Sequence, residues 1–462
     1  MEKNRRTILK GLMLCSIPSI YGCRVEKNSK ENILSIIISD FGAIGDGIND
    51  DSLALIKSLE YLKLHGGGVL YIPKGVYAIN KYIKTKVITN LRNVEIYGDG
   101  DSSVFVLHSG SLSFGSFVGL KLKDIKIIRN VKITTDFREK YQVNMSNFND
   151  LTIENVTFDE FGVENGALPI PGSTILFLYA GRKTSVVSDD LVVGSSSKFQ
   201  INNCRFYSGG DRTVNFGLRV YTEFYADETE ELVHGLVSNC IFKGFNWNGL
   251  EIAGPKTREI TIDKCTAHSC GLTGIEIDKG ASCCTIQNTK ISDLRGNIDF
   301  ETYPNTAIVG VLVQGSGPLN LIGKDNVVKD ITVELNDTYF DYPNDIWGVA
   351  LVDVEYTLVE RVEAFVFDSS PSYFLGKKLA IYFHGYRNAN TVTNCSFNGF
   401  DFGLCFDKNL VSCNLSQETN IERATFIDNN DFTLFYDGCD LQENGCDIKF
   451  DYKIEVERTY AS

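Results

Sequence analysis

Short runs in which apolar and polar residues alternate recur along most of the chain. Because successive side chains of a strand point to opposite faces, alternation with a period of two predicts β-strands that bury one face. One recurring run reads Ile-Glu-Asn-Val-Thr-Phe at residues 153–158. Its other copies begin at Ile128, Ile201, Val237, Ile262, Ile286, Val359, Val392 and Ile421. The chain is therefore predicted to be built from one repeated unit that contains strands.

A second recurring run lies downstream of the first and usually begins with glycine, as in Gly249-Leu-Glu-Ile-Ala253. Its other copies begin at Gly217, Gly274, Gly310, Gly348, Lys378 and Gly403. Where no insertion intervenes, the two runs are 11 or 12 residues apart and the unit is 24 or 25 residues long. A unit of this length, with short strands and Asn or Gly turns, is typical of one coil of a parallel β-helix, a solenoid whose coils stack on one another.

Cysteine and asparagine recur at two fixed places of the first run. The cysteines take an apolar position, which predicts small core side chains stacked inside the solenoid: Cys204, Cys240, Cys265 and Cys395. The asparagines are predicted to form a ladder at a tight bend, where Asn tolerates left-handed backbone geometry: Asn130, Asn155, Asn203, Asn239, Asn288 and Asn394. Of the 13 cysteines, Cys15 and Cys23 lie in the N-terminal segment described next, and the remaining eleven, an odd number, argue against a disulfide framework.

The first 23 residues resemble an export signal rather than part of the fold. Arg5 and Arg6 lie in a twin-arginine-like motif, and the apolar stretch that follows is shorter than a membrane-spanning helix, which needs about 20 residues. The sequence Ile-Tyr-Gly-Cys ending at Cys23 resembles a bacterial lipobox, which predicts lipidation of Cys23; plain cleavage and an amphipathic helix are the alternatives. Residues 1–22 are therefore predicted to be an export signal and 23–35 a linker. The mature protein is expected in the periplasm or on the cell surface, attached to the membrane only through this lipid anchor.

The segment 40–77 has the features of an N-terminal cap. An amphipathic stretch ending at Leu64 predicts a helix with Asp50 as its N-cap, followed by a glycine-rich strand, turn and strand. Asp46, Asp50 and Asp51 are expected to shape this cap rather than to catalyse a reaction. The segment resembles the opening of the pectate-lyase-like superfamily, in the subgroup shared by rhamnogalacturonases, epimerase-like proteins and phage tailspikes.

The repeats and this resemblance predict the fold class together. It is all-β: a single-stranded right-handed parallel β-helix, or solenoid, with a short N-terminal capping helix. One domain is predicted over residues 36–462, with the cap at about 40–80 and coils to about 440.

The net charge limits the classes of molecule that the protein is expected to bind. The formal net charge is −14, and broad binding of nucleic acid needs Lys and Arg against the phosphates, so nucleic acid is excluded as a partner. A densely anionic substrate is disfavoured for the same reason. No heptad pattern indicates a homo-oligomer, and no HExxH, paired CxxC or Walker loop indicates a metal or phosphate site.

The outward positions of the second run form two rows that can be followed from coil to coil. With Leu250 and Ile252 inward, Glu251 points outward. The first row is predicted to be Arg219, Glu251, Glu276, Leu312, Ala350, Ala380 and Cys405. The second row is predicted to be Tyr221, Ala253, Asp278, Gln314, Val352, Tyr382 and Asp407. Polar groups concentrate on the coils of Glu251 and Glu276, which predicts a functional site there.

The candidate catalytic residues are Glu251, Glu276 and Asp278, with Arg219 beside them. Glu251 and Glu276 are expected about 4.8 Å apart at the backbone, and two carboxyls that close raise one pKa, as a general acid near neutral pH requires. Glu251 and Asp278 are expected on a diagonal of roughly 8 Å. A separation of about 6.5–9.5 Å suits an inverting glycosidase and one of about 5–5.5 Å a retaining one, and both pairs stay open.

Aromatic and polar residues around the carboxylates are candidates for substrate binding. Trp247 lies in the turn before the first carboxylate, where an exposed tryptophan is a common platform for a sugar ring. Tyr221 and Gln314 belong to the second row. Tyr303 lies in the insertion 292–307, which is expected to form a wall of the site because long loops in a compact fold are often functional.

Members of the superfamily that this chain resembles mostly cut polysaccharides along the solenoid groove, by hydrolysis or by β-elimination. The Asn-Thr-Asp, Asp-Asp, Gly-His-Gly and Arg-x-Lys motifs of polygalacturonase-type hydrolases do not occur in that order, and His384 is expected to be structural. The resemblance and the carboxylates imply an exported polysaccharide-degrading enzyme, a glycoside hydrolase that needs no cofactor. Two alternatives stay open: a polysaccharide lyase with Arg219 as base and carboxylates holding Ca²⁺, and a non-catalytic glycan-binding surface protein.

Overall fold

The computed structural model describes most of the chain between Ile33 and Thr459. The ranges outside the description are 1–32, 80–87, 109–110, 130–139, 161–171, 181–195, 209–213, 223–231, 296–306, 317–320, 337–344, 368–375, 385–389, 408–411, 416–422, 428–432, 437–438, 443–454 and 460–462. The predicted export signal, Cys23 and Tyr303 therefore lie outside the described residues. None of the described helices is long and apolar enough to cross a membrane.

Three tracks of parallel strands run along the solenoid, and a complete coil contributes one strand to each track. The bend track precedes the asparagine bend: Ser35–Ile37, Gly68–Ile72, Arg92–Gly98, the end of Leu112–Lys123, Leu151–Glu154, Ser196–Asn202, Leu232–Ser238, Thr257–Asp263, Thr285–Ser292, Val327–Asn336, Leu358–Phe367, Asn390–Thr393, Ser412–Leu415 and Thr433–Tyr436. The return track follows the bend: Asp46–Asp50, Gly75–Ile79, Ser103–Leu107, Lys126–Arg129, Thr157–Glu160, Arg205–Ser208, Ile241–Lys243, Thr266–His268, the ends of the three long bend-track strands from Thr285 to Phe367, and Ser396–Asn398.

The groove track completes each coil and carries the candidate site. Its strands are Ile88–Thr89, Leu112–Lys123, Tyr141–Asn149, Thr174–Ala180, Phe216–Thr222, Asn248–Ala253, Thr273–Asp278, Ile308–Gln314, Ile346–Val352, Lys378–His384, Phe402–Asp407, Arg423–Ile427 and Glu455–Thr459. Gly323–Lys324 and Val354–Glu355 form a separate two-stranded sheet. Cys439–Gln442 pairs antiparallel with the last strand of the bend track. The described chain is thus a right-handed parallel β-helix, and the predicted fold class is confirmed.

Apolar residues fill the inside of the solenoid in ranks, each side chain packing on its equivalent one coil away. The rings of Phe158, Phe206 and Phe242 stack with centroids 4.9 and 4.8 Å apart. The predicted interior cysteines are buried free thiols whose Sγ atoms contact backbone carbonyls. These cysteines serve as small core side chains, as their repeated apolar position predicts.

The asparagine ladder is confirmed at five of the six predicted positions. Backbone φ lies between 51° and 56° at Asn155, Asn203, Asn239, Asn288 and Asn394. Asn155, Asn203, Asn239 and Asn288 also donate from Nδ2 to a side-chain oxygen of the preceding coil, such as Asn203 Nδ2 to Asn155 Oδ1 at 2.7 Å. The ladder therefore satisfies the amide groups that a left-handed bend exposes.

The prediction for the coil before Asn155 is wrong. Ile127 pairs with Phe158, so the bend residue of that coil is Asp124, with φ of 52°, and Asn155 Nδ2 donates to its side chain at 2.8 Å. Asn130, which the sequence pattern placed at the bend, lies six residues farther on and outside the described residues.

A second correction concerns the Lys378–His384 strand. Trp347 pairs with Leu379, which puts Ala380 rather than Lys378 opposite Gly348. A Cβ at Gly348 would come within 2.6 Å of the Ala380 carbonyl oxygen, so close approach of the two strands explains the recurring glycine. The first outward row therefore continues from Ala350 to Tyr382 instead of Ala380, and the second from Val352 to His384.

The N-terminal cap contains the predicted helix, Ser52–Leu64, between short 3₁₀ turns at Ile38–Phe41 and Gly100–Ser102. Asp51, not Asp50, is the N-cap residue, and its carboxylate accepts hydrogen bonds from the backbone of the preceding loop, Ile44 N at 2.7 Å. Asp50 instead accepts the Ser52 N–H at 3.0 Å, and Asp46 accepts two backbone N–H groups. All three carboxylates hold the cap loop in shape.

Candidate active site

The predicted catalytic side chains lie on three adjacent strands of the groove track. Arg219 pairs in register with Glu251, and Glu251 with Glu276. Their inward neighbours, such as Leu250 and Ile277, are fully buried in the core. Alternation along each strand therefore turns Arg219 and the two glutamates to the outer face, one strand spacing apart, as the sequence predicts.

Glu276 lies at the centre of the cluster and is almost fully buried at 7% exposure. Asn248 Nδ2 donates to one of its carboxyl oxygens, and Gln314 Nε2 donates to the other at 2.6 Å. Burial, followed by the charges of Asp278 and Glu251, raises the pKa of Glu276 well above its usual range. Burial and the neighbouring carboxylates therefore favour the protonated form of Glu276.

Asp278 follows two residues later on the same strand and face. Lys279 Nζ contacts its carboxylate at 2.6 Å. Burial raises the pKa of Asp278 to about 6, although the charge of Lys279 opposes the rise. Burial disfavours the charged form of Lys279 and lowers its pKa. The negative charges of Asp278 and Glu251 have the larger effect together, so the Lys279 pKa is raised.

Glu251 is held between two cations. Arg219 Nη2 donates to Glu251 Oε1 at 2.7 Å, and Lys279 Nζ lies 3.8 Å from the same oxygen. The Arg219 guanidinium also stacks over the Phe216 ring, 4.1 Å from its centroid. Burial opposes the charge of Arg219, but Glu251 outweighs it, so the Arg219 pKa is raised and the guanidinium stays protonated.

These groups open into one groove of about 570 Å³. Along the solenoid it runs from Phe216 and Arg219, past the carboxylates, to Trp347, Val352 and Asp353. A concave site of this size with a few convergent polar groups is the usual form of a ligand site.

Two of the four predicted binding residues, Trp247 and Gln314, line this groove. Trp247 lines it beside Asn248, and Gln314 is held by its hydrogen bond to Glu276. Tyr221 lies two strands before Asp278 in the same outward row, with its ring 6.1 Å from that of Tyr179. His384 lies three strands beyond Asp278, against the Tyr382 ring, and so does not contact the carboxylates.

Asn248, Lys279 and Trp347 are groove residues that were not predicted from the sequence. Asn248 immediately precedes the glycine of its run, Lys279 follows the last residue of its strand, and Trp347 precedes the glycine of a later coil. The positions before these glycines are Phe216, Asn248, Thr273, Val309 and Trp347, and they form a third row in register. Following that row from coil to coil would have found Asn248 and Trp347.

Metal ligands are not apparent in the described part of the groove. Across the described residues, no three or more His, Cys, Asp or Glu side chains are arranged to hold a metal ion. The oxygens of Glu251 and Asp278 contact Arg219 and Lys279 instead.

Two curated relatives are mannuronan C5-epimerases of Azotobacter vinelandii. AlgE3 is 25% identical over 295 residues, which cover 61% of this chain and 14% of that protein. AlgE4 is 29% identical over 140 residues, which cover 29% of this chain and 22% of that protein. The chain therefore spans less than a quarter of either relative.

Solved structures share the fold at low sequence identity. The enzymatically active domain of tailspike protein 2 from bacteriophage CBA120 is 13% identical with a TM-score of 0.50, covering 84% of this chain and 47% of that one. The Dettilon tailspike protein is 12% identical with a TM-score of 0.51, covering 84% of this chain and 66% of that one.

Residues 35–299 match the family described as rhamnogalacturonase A/epimerase, pectate lyase-like. The match spans more than half of the chain, from the first strand of the cap through the strands that carry Arg219, Glu251, Glu276 and Asp278. It also agrees with the solenoid architecture and with the resemblance seen in the cap. The protein is a member of the rhamnogalacturonase A/epimerase, pectate lyase-like family.

Proposed function

We propose that this protein is a polysaccharide-degrading glycoside hydrolase in which Glu276 is the general acid and Asp278 the general base. The observation that carries the proposal is the contrast between the two carboxyls. Glu276 is buried and held by two amides with a strongly raised pKa, whereas the Asp278 pKa of about 6 leaves it ionised at neutral pH. Two neighbouring carboxyls with different protonation states are what glycoside hydrolysis requires.

In this mechanism Glu276 protonates the oxygen of the leaving sugar while Asp278 takes a proton from the attacking water. The two residues are carried two positions apart on one strand, about 6.6 Å between Cα atoms. In the inverting reaction that we propose for this pair, the attacking water fits between the acid and the base. The Glu251 carboxylate, held by Arg219 and Lys279, would stabilise the positive charge that develops on the sugar ring.

A lyase that uses Arg219 as its base is less favoured. Abstraction of a proton needs a neutral guanidine, whereas Glu251 raises the Arg219 pKa and keeps the side chain charged. A second candidate is C5 epimerisation of a uronate polymer, because the curated relatives are named mannuronan C5-epimerases and Arg219 and Lys279 place positive charge beside the groove. From residues 1–23 we also propose that the protein acts outside the cytoplasm, anchored through Cys23.

Product analysis on a panel of neutral and acidic polysaccharides tests the reaction type. We expect new reducing ends without ultraviolet absorbance, and no change when a chelator is added. Absorbing products would indicate elimination, and an altered uronate composition without new ends would indicate epimerisation. Binding without any turnover would favour a glycan-binding protein and contradict the hydrolase.

The pH profile tests the role of Asp278. A base must be ionised, so we expect kcat/KM to rise with pH through about 6 and to fall at higher pH as Glu276 loses its proton. Lys279→Met removes the cation that lowers the Asp278 pKa, so the acidic limb should move to higher pH. A profile whose acidic limb is unchanged in Lys279→Met would remove Asp278 from the base role.

A further inference from the structure

Two aromatic groups lie on opposite sides of the carboxylate cluster. On the N-terminal side the half-buried rings of Tyr179 and Tyr221 lie 6.1 Å apart in the second outward row. On the C-terminal side Trp347 stacks on Tyr382 with centroids 4.0 Å apart and planes 17° apart. The proposed reaction uses neither group, so each needs another explanation.

Trp347 is fixed at the C-terminal end of the groove that holds the carboxylates. It belongs to the third row, two strands beyond the strand of Glu276, or roughly 10 Å along the solenoid. Trp347 also lines the same continuous groove as Arg219 and Glu276. A chain that passes over Glu276 along the solenoid axis would therefore reach Trp347.

The setting of Trp347 is unusual for a surface aromatic residue. Trp347 and Tyr382 cover Leu379 and Cys405, which are buried at 1% and 0% exposure, in a small apolar cluster separate from the core. The cluster holds the indole ring in place from below. A rigid, half-buried ring that also lines the groove is a preorganised platform for a sugar.

The indole N–H of Trp347 adds a polar requirement. Its Nε1 atom is buried and has no hydrogen-bond partner among the residues that the structure describes. A buried donor without an acceptor costs free energy, and a hydroxyl of a bound sugar would supply the acceptor. The Nε atom of Arg219, at the opposite end of the groove, is also buried and has no hydrogen-bond partner within the described part of the chain.

We propose that Trp347, supported by Tyr382, forms a sugar-binding subsite on the C-terminal side of Glu276. The groove then holds a glycan on both sides of the cleaved bond, so the substrate is a polymer cut at internal linkages. This inference rests on the proposed function for the cleavage step, but the subsite itself requires only that the groove binds glycan.

The two tryptophans of the chain allow this binding to be measured without turnover. The chain has only these two, Trp247 and Trp347, and both line the groove. In Trp247→Phe all indole fluorescence therefore comes from Trp347. We expect a saturable change in that emission when the variant is titrated with alginate, polygalacturonate and a soluble neutral β-glucan in turn. No change with any member of the panel would overturn the subsite, whatever the outcome of the product analysis.

Substitutions of Trp347 then test which part of the side chain binds. The ligand is the hexasaccharide of the polysaccharide that gives the fluorescence change. Compared with wild type, Trp347→Ala should bind it at least about tenfold more weakly. Trp347→Phe, which keeps a ring but loses the N–H, should bind it several-fold more weakly. Equal hexasaccharide affinity in wild type and Trp347→Ala would overturn the proposal even where cleavage is established.

Tyr356→Ala provides the matched control, since Tyr356 is 58% exposed and is not among the groove residues. It should bind the hexasaccharide as wild type does, and thermal unfolding should show that each variant is folded. Early products from the full-length polymer should also be long oligosaccharides in wild type. Release of only mono- or disaccharides from the start would contradict a groove that is filled on both sides.

Discussion

Glu276→Gln is expected to lower kcat on the cleaved polysaccharide by about 10²–10⁴-fold, the contribution usual for general acid–base catalysis. Glutamine has nearly the same shape and its one oxygen can accept one of the two hydrogen bonds that Asn248 and Gln314 donate, but it has no acidic proton to give to the leaving oxygen. Glycan affinity should therefore change little. Initial rates of reducing-end formation, compared with binding of the same polysaccharide by calorimetry, separate the two effects.

The same variant carries a second signature in its pH profile. If Glu276 is the acid, the fall in kcat/KM at high pH reports the loss of its proton, and the residual activity of Glu276→Gln should lack that fall. Glu334→Gln is the control, because Glu334 is partly exposed and pairs with Lys290 outside the groove. Turnover near the wild-type level in Glu276→Gln would exclude Glu276 as the acid.

The sequence predicts the fold well because the β-helix repeats its chemistry coil by coil. Apolar alternation, the asparagine bend and the recurring glycine each mark one place in the coil, and their spacing identifies the solenoid. The two errors in strand register have a common cause. Moving a strand by two residues keeps the same side chains inward, so alternation alone cannot choose between Lys378 and Ala380 opposite Gly348. The close approach of the Gly348 and Ala380 backbones decides it, and only the folded coils contain that contact.

The coil before Asn155 was misaligned for a related reason. Ile128-Arg-Asn130-Val imitates the repeat locally, but stacking of Ile127 under Phe158 sets the register, and Asp124 replaces asparagine at the bend. A short polar residue at positive φ is what the bend requires, and aspartate meets that requirement as well. A search for asparagine therefore missed it.

For the candidate site, the strand pattern predicts which carboxylates point outward but not which side chains contact them. Outward alternation identifies Glu251, Glu276 and Asp278, because each lies between inward apolar residues of one strand. Their electrostatics depend on side chains reached across coils or just past a strand end, Asn248 and Lys279 above all. Which carboxyl keeps its proton follows from these partners and from burial, and neither can be obtained from one strand alone.

Arg129→Met is expected to lower the free energy of unfolding by about 3–5 kcal/mol at neutral pH, because it leaves a buried charge without its partner. Arg129 and Glu160 pair in register on neighbouring return-track strands, with Nε and Oε2 2.7 Å apart and side chains only 2% and 0% exposed. Methionine fills a similar apolar volume but cannot offset the Glu160 carboxylate. Urea denaturation of wild type and variant measures the loss.

The pH dependence and two control variants separate this effect from simple loss of packing. Burial already raises the Glu160 pKa, and loss of Arg129 should raise it further, so the folded variant binds a proton that the unfolded chain has released. Stability of Arg129→Met should therefore fall as pH rises above about 4.3, the ordinary glutamate value, and the loss should shrink in acid. Arg129→Met with Glu160→Gln should regain most of the stability, and Arg361→Met, which breaks the exposed pair with Asp330, should cost only about 0–1 kcal/mol. A loss that is equal at all pH values and persists in the double variant would mean that Arg129 stabilises the solenoid by packing and not by its charge.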